Sequence, residues 1–353
     1  MRMFTPPRAL FLLAAVGLIV GLPAADSLAR SRKAVVEAPP PPPPPPPPGP
    51  VGLPDPMIQD AAAYDSYMRR AIGISPAFTD ASSVSQAMGF TRAYAPKSIV
   101  RGAVAYAAIA ALQDPAFVAS VREAGNTPEH RQAMVGYILA NPAYVQYFKD
   151  SNVAAGLAKE ALAPRALRLN AVGKAVHQAA YDIQRQGWSK IEVADLNGRL
   201  AAAEAAASGE MTSDPDALAQ EKLSAGGAAA LPTAATLLAP PYTPMVAHAL
   251  QLAAIAALGE ARDDDADQLS ALTVDNDTSA CLGAAKRNFH QCLAVAKPEY
   301  EDIFCIGQHG LQDTGACLAT AAGAELPPEP PPPPPPFTPK PKSPVHHAHH
   351  GRA

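Results

Sequence analysis

Residues 99–112 read IVRGAVAYAAIAAL, and residues 245–258 read MVAHALQLAAIAAL. Both stretches are long enough for three to four helical turns and contain no glycine or proline beyond Gly102. Both are apolar almost all the way round, which marks a helix buried on every side rather than one lying on a surface. Ala103, Ala107 and Ala111 fall four apart, as do Ala249, Ala253 and Ala257. Such rows of small residues let helix axes approach to about 8 Å. Eight of the fourteen positions match between the two stretches, at an offset of 146 residues. A duplication and the alanine bias of the chain both account for that match. On either account the fold is built around buried helices, and His248 on the second is expected to be a buried, hydrogen-bonded histidine.

Outward from these two stretches, the chain repeats one way of starting a helix. Ser75-Pro76-Ala77-Phe78, Asp114-Pro115-Ala116-Phe117 and Asn141-Pro142-Ala143-Tyr144 each place a capping residue, then proline, alanine and an aromatic. Ser, Asp and Asn side chains accept the free N–H groups of a first turn. Proline suits the first helical position, where an N–H has no partner to lose. Thr127-Pro128-Glu129 and Thr243-Pro244-Met245 are looser versions, and Ser189-Lys190-Ile191-Glu192 has the form of a capping box. These starts predict helices over 56–72, 82–93, 97–112, 115–124, 128–140, 142–149, 152–186 with a kink near Pro164, and 190–207. Strand patterns are nearly missing from the sequence. The fold class is therefore all-α: an irregular multi-helix bundle, with solenoid-like stacking as a variant.

The ends are different in kind. Residues 1–29 carry Arg2 and Arg8, an apolar run up to about Leu22, then Pro23 and the small residues Ser27 and Ala29. That order is the signature of an export signal cleaved after Ala29. The apolar run falls short of the about 20 residues that span a bilayer, so after cleavage the chain is expected not to be an integral membrane protein. The composition, rich in Ala and Pro, suits a bacterial source and an exported location, periplasmic or extracellular. Ten consecutive prolines fill 39–48 and seven fill 330–336. A polyproline segment rises about 3.1 Å per residue, so each run is a stiff spacer. The arms span 30–52 and 326–353 and are expected to be disordered. They can also act as ligands for a proline-binding domain.

Between the arms, residues 209–242 are rich in Ala, Gly, Pro and Thr, with room for one short helix near 215–223. They are read as a linker dividing an α-helical domain, 53–208, from a smaller one, 243–325.

That smaller part holds all four cysteines, Cys281, Cys292, Cys305 and Cys317. No paired C-x-x-C spacing suggests zinc. An even, clustered count in an exported chain points to disulfides. Cys281 and Cys292 sit about 16 Å apart along one helix, too far to bond each other. Lys297-Pro298-Glu299 reads as a turn between helices. Cys292 and Cys305 lie six and seven residues from Pro298, and Cys281 and Cys317 lie seventeen and nineteen. This near symmetry predicts a stapled hairpin with nested pairs, Cys281–Cys317 and Cys292–Cys305. Helix breaks at Gly307, Gly310 or Gly315 would favour a Cys305–Cys317 pair instead.

Catalytic motifs do not survive inspection. Asp275-Asn276-Asp277-Thr278 loosely resembles the nucleophile loop of haloacid-dehalogenase-type phosphatases, but no buried strand precedes it, and Asp277 or Thr278 reads better as a helix cap. The acidic run at 263–267 lacks the glycine and terminal glutamate of an EF-hand. No nucleophile-elbow, zincin or phosphate-loop motif occurs in the sequence. His130, His177, His290 and His309 are scattered; an enzyme would need the fold to gather residues such as His130, Glu160, His177 and Asp182. In the tail, His346, His347, His349 and His350 place four imidazoles in five residues, which can hold Cu, Ni or Zn weakly; no other cofactor is implied. A net charge of −4 over 353 residues gives no reason to expect nucleic acid as a partner. The expected role is a non-enzymatic scaffold or interaction protein of the cell envelope, whose partner is an unidentified envelope protein or surface. An enzyme assembled only by the fold and a metal-binding protein acting through the tail are the alternatives.

Overall fold

Several helices begin where a side chain takes up one of the first free N–H groups. The computed structural model describes residues 49–328, apart from 194, 210, 228–230 and 232–235. The expected signal, most of the proline arms and the histidines at 346–350 lie outside the described residues. Asp114 Oδ1 accepts from Ala116 N at 3.1 Å and Asn141 Oδ1 from Ala143 N at 3.0 Å. Thr127 and Thr243 accept from His130 N and Val246 N. The helices that follow are α1 (Asp55–Ile72), α2 (Ala81–Arg92), α3 (Pro96–Ala111), α4 (Pro115–Ala124), α5 (Pro128–Ala140) and α6 (Ser151–Ile183). Then come α7 (Leu196–Ser208), α8 (Pro215–Ala225), α9 (Pro244–Ala257), α10 (Ala266–Ser270) and α11 (Asn276–Val295). The last are α12 (Glu299–Cys305) and α13 (Asp313–Ala321), joined without a break by a π-helical segment, Ile306–Gln312. The described residues are 75% helical, and no strand occurs among them.

Four expected starts are corrected. Ser75 Oγ does accept from Ala77 N, but no helix follows. Asp80 takes that role, because it and Ser83 satisfy each other reciprocally: Ser83 N donates to Asp80 Oδ1 at 2.8 Å, and the Ser83 hydroxyl bonds back to the Asp80 carbonyl. Ser189 cannot cap α7. Its buried hydroxyl donates to the Ile183 and Gln186 carbonyls and so ends α6 instead. Asp195 is the cap, accepting from Gly198 N. The cap of α11 is Asp275, which holds both the N–H and the hydroxyl of Thr278. The helix expected over 142–149 is a 3₁₀ turn, Pro142–Tyr147, because the chain must reverse at Asp150 (φ 62°) to enter α6.

The two opening stretches are α3 and α9, and they pack on each other. The alanines of both ridges are fully buried. α3 also packs against α1 and α6, so it forms the axis of the fold. α9 buries Gln251, whose amide donates to the Ile138 carbonyl. One continuous hydrophobic cluster runs from Leu53 to Ala322. The segments 53–208 and 243–325 therefore share a core, and the boundary expected at 209–242 does not separate two cores. Within that supposed linker, α8 is tied to α1: Asp214 N donates to Ser66 Oγ at 2.9 Å, and Arg70 pairs with Asp214 at 3.1 Å.

The C-terminal hairpin has the predicted pairing. Cys281 is bonded to Cys317 and Cys292 to Cys305, with Cα separations of 5.8 and 5.7 Å. The glycines expected to break its second helix are contact points instead. A Cβ on Gly307 would strike the backbone of His177, and one on Gly315 would strike the backbone of Asn170. The helix 299–321 thus lies almost backbone to backbone on α6. Asn170 seals the crossing by donating to the Gln312 carbonyl at 2.9 Å. No single helix among the described residues is long and apolar enough to cross a membrane.

Candidate functional site

Where the stapled hairpin meets the C-terminal half of α6, apolar side chains are left uncovered. α6 presents Ala180, Tyr181 and Gln184; the end of α11 presents Cys292, Val295 and Ala296; α12 presents Tyr300, Glu301, Phe304 and Cys305. Together they line a cleft of about 370 Å³. Val295 is 76% exposed and Tyr181 50% exposed. Large apolar side chains gathered in one concave place are more informative than single exposed ones. The Cys292–Cys305 bridge forms part of the cleft wall and fixes α11 relative to α12.

The hairpin turn behind the cleft is held by Arg199 of α7. Its guanidinium forms a buried ion pair with Asp302 and donates to the Leu293 and Ala296 carbonyls. The strip 191–193 runs beside the same turn, with Val193 N donating to the Lys297 carbonyl and Glu299 N to the Ile191 carbonyl. The cleft is therefore built on rigid elements, as a preformed binding surface requires.

At one end, aromatic rings lead from the cleft to a pair of histidines. Phe304 lies 4.5 Å from His177, centroid to centroid, and Tyr181 lies 5.4 Å from it, both edge-on. Burial lowers the His177 pKa, and the neighbouring His309 lowers it further. His309 Nδ1 is 2.8 Å from Asp313 Oδ2, and Gln308 donates to the other Asp313 oxygen. This group sits on the π-helical segment, a distortion that often marks functional places in helices.

No known protein family, curated protein or solved structure matches this chain. Its site is read from geometry alone.

The residues whose convergence would signal an enzyme do not converge. Glu160 and His177 are on the same helix, about 25 Å apart along its axis; Glu160 faces Thr236. His130 is on α5, near Asn126, and Asp182 accepts from Gln178 at the surface. His248 is half-buried rather than enclosed, and its Nδ1 has no hydrogen-bond partner. Burial lowers its pKa. Among the described residues, no group of three or more His, Cys, Asp or Glu could hold a metal. The cysteine pairs were legible beforehand; Tyr181, Val295, Tyr300 and Phe304 were not. The signal available was the spacing of four between His177 and Tyr181 and between Tyr300 and Phe304, which stacks each pair on one helix face.

Proposed function

We propose that this chain is an exported, non-enzymatic scaffold of the cell envelope, whose binding face is the aromatic cleft between α6 and the α11–α12 hairpin. The observation that carries the reading is the cleft itself: aromatic and aliphatic side chains left exposed on a wall fixed by a disulfide. Bridges of this kind accord with an oxidising compartment. The N-terminal proline arm, 30–52, acts as a spacer that carries the folded body away from its attachment, and the C-terminal arm, 326–353, does so when it is extended. The partner is an envelope protein that offers an apolar segment to the cleft.

The test is a photo-crosslinking residue, p-benzoylphenylalanine, placed at Val295 in the intact chain in its native envelope, with the same residue at exposed Tyr147 as control. The expected result is a discrete adduct with another protein from position 295, lost when Tyr181→Glu puts a charge into the cleft. Equal adducts from both positions would overturn the reading.

A further inference from the structure

The cleft has the chemistry that recognises proline-rich chains. Extended proline segments pack their rings into grooves lined by aromatic side chains, and their free carbonyls take donors from the groove edge. Tyr181, Tyr300 and Phe304 supply the aromatic lining, Val295 adds an exposed apolar wall, and the Gln184 amide is an edge donor. Such a segment lies in this chain, at 327–341, with prolines at 330–336, Phe337 next, and Lys340 and Lys342 beyond.

Its point of departure is known. The last helix closes at Gly323, in the left-handed region at φ 71°. Ala324 N bonds back to the Ala319 carbonyl and Gly323 N to the Thr320 carbonyl, a closure that turns the chain off the helix axis. From Phe304 in the cleft to Ala321 is about 25 Å along that helix, at about 1.5 Å per residue. An extended chain covers up to about 3.3 Å per residue, so the nine residues from Ala324, the last one bonded back to the helix, to Pro333 reach about 30 Å. The tail can therefore return along its own helix and bring the later prolines, up to Pro336, to the cleft. Lys340 and Lys342 then follow past the carboxylate of Glu301 on the rim. Gly49, the residue that follows the N-terminal run, lies elsewhere: its carbonyl accepts from Arg122 on α4, and it touches Gly259 beyond α9. Neither element lines the cleft.

We propose that the cleft is occupied by the C-terminal proline segment of the same chain, residues 327–341, which covers it until a partner displaces it. This rests on the cleft being the binding face. The occupant and the partner are separated by running the same photo-crosslinker at Val295 on the purified full-length protein alone. The expected product is an intramolecular adduct, at monomer mass, mapped to the peptide carrying 330–336. A synthetic peptide of residues 327–343 should halve it only near about millimolar concentration, the effective concentration of a tethered segment. A full chain with 330–336 replaced by alternating Gly and Ser should lose the adduct while keeping its helical circular dichroism. Dimer-mass adducts that rise with protein concentration would assign the cleft to a second copy and overturn the proposal. Absence of any tail adduct from the purified protein would overturn it too, whatever the envelope experiment yields.

Discussion

Removing the outer bridge isolates what the staple contributes. The perturbation is the double substitution Cys281→Ala with Cys317→Ala. The bond closes a span of 36 residues, and the inner bond, Cys292–Cys305, closes 13 of those already. With the inner bond intact, the outer one constrains an effective loop of about 23 residues in the unfolded chain, and the chain-entropy relation gives about 3.4 kcal/mol for that loop, against about 3.8 for the full span. Cys281 is exposed, so trimming it adds little. Cys317 is buried, so losing its sulfur adds about 1 kcal/mol of lost packing. The expected loss is therefore about 3–5 kcal/mol. The assay is guanidinium unfolding followed by circular dichroism, on the double variant and the unmodified protein, both non-reduced. The denaturant slope should rise as well, because the opened unfolded chain exposes more surface. A loss below about 1 kcal/mol with an unchanged slope would refute the reasoning. It would mean that the hairpin is held by its contacts with α6 and that the outer bond constrains nothing the unfolded chain would otherwise explore.

Three further outcomes follow from single side chains. Asn141→Ala removes one exposed cap bond and should cost near the low end of about 0.5–2 kcal/mol in urea unfolding. Gly315→Ala should destabilise by about 1–3 kcal/mol, since its new Cβ meets the α6 backbone, whereas Gly283→Ala on the open face of α11 should stabilise by up to about 1 kcal/mol through helix propensity; equal signs for the two would remove the backbone-contact argument. Glu221 is buried beside Asp65, and burial followed by that charge raises its pKa from 4.5 to about 7. Its folded value lies above its unfolded one, so its contribution is whole below pH about 4.5 and is lost as pH rises toward about 7. Urea midpoints for Glu221→Gln should lack that decline, and parallel pH profiles for the two proteins would show that Glu221 is not the group responsible.

The sequence was most informative where a local rule met no competitor. Proline after a capping residue located α4, α5 and α9, where the capping side chain does bond a free N–H of the first turn. That rule failed at Ser75, and the capping-box pattern failed at Ser189, for a reason no local pattern contains. Asp80 offered a better reciprocal cap next to the first, and the second spends its hydroxyl on the end of α6. The disulfide pairing was legible because it depends on distance from one turn at Pro298. Gly307 and Gly315 misled because glycine reads locally as a helix breaker; only the presence of α6 shows that the missing side chains are the point. The cleft was hidden for a related reason. Its walls come from residues over a hundred positions apart, and exposed aromatics four apart on a helix look, in sequence, the same as core aromatics.

The hairpin is held by packing and by its two bridges together. A helix that meets α6 through glycines comes close enough for its other side chains to pack beside the contact, and burial stabilises at roughly 25 cal/mol per Å² of apolar surface. Elsewhere the fold gathers that area through Tyr64, Tyr94, Phe117 and the isoleucines and leucines of the core. The helix 299–321 adds Ile303, Ile306, Leu311 and Leu318, all buried in the same cluster. What the hairpin does bury includes the polar pair Arg199–Asp302, and a buried ion pair holds its partners in place without adding much net stability. The covalent bonds add to that packing by limiting the unfolded chain rather than by adding contacts. One consequence bears on the cleft. Tyr300 and Phe304 pack on the core beneath them, and the inner bond and the Arg199 clamp fix the turn that carries Val295 beside them. An apolar surface supported in this way can stay open to a ligand without collapsing inward.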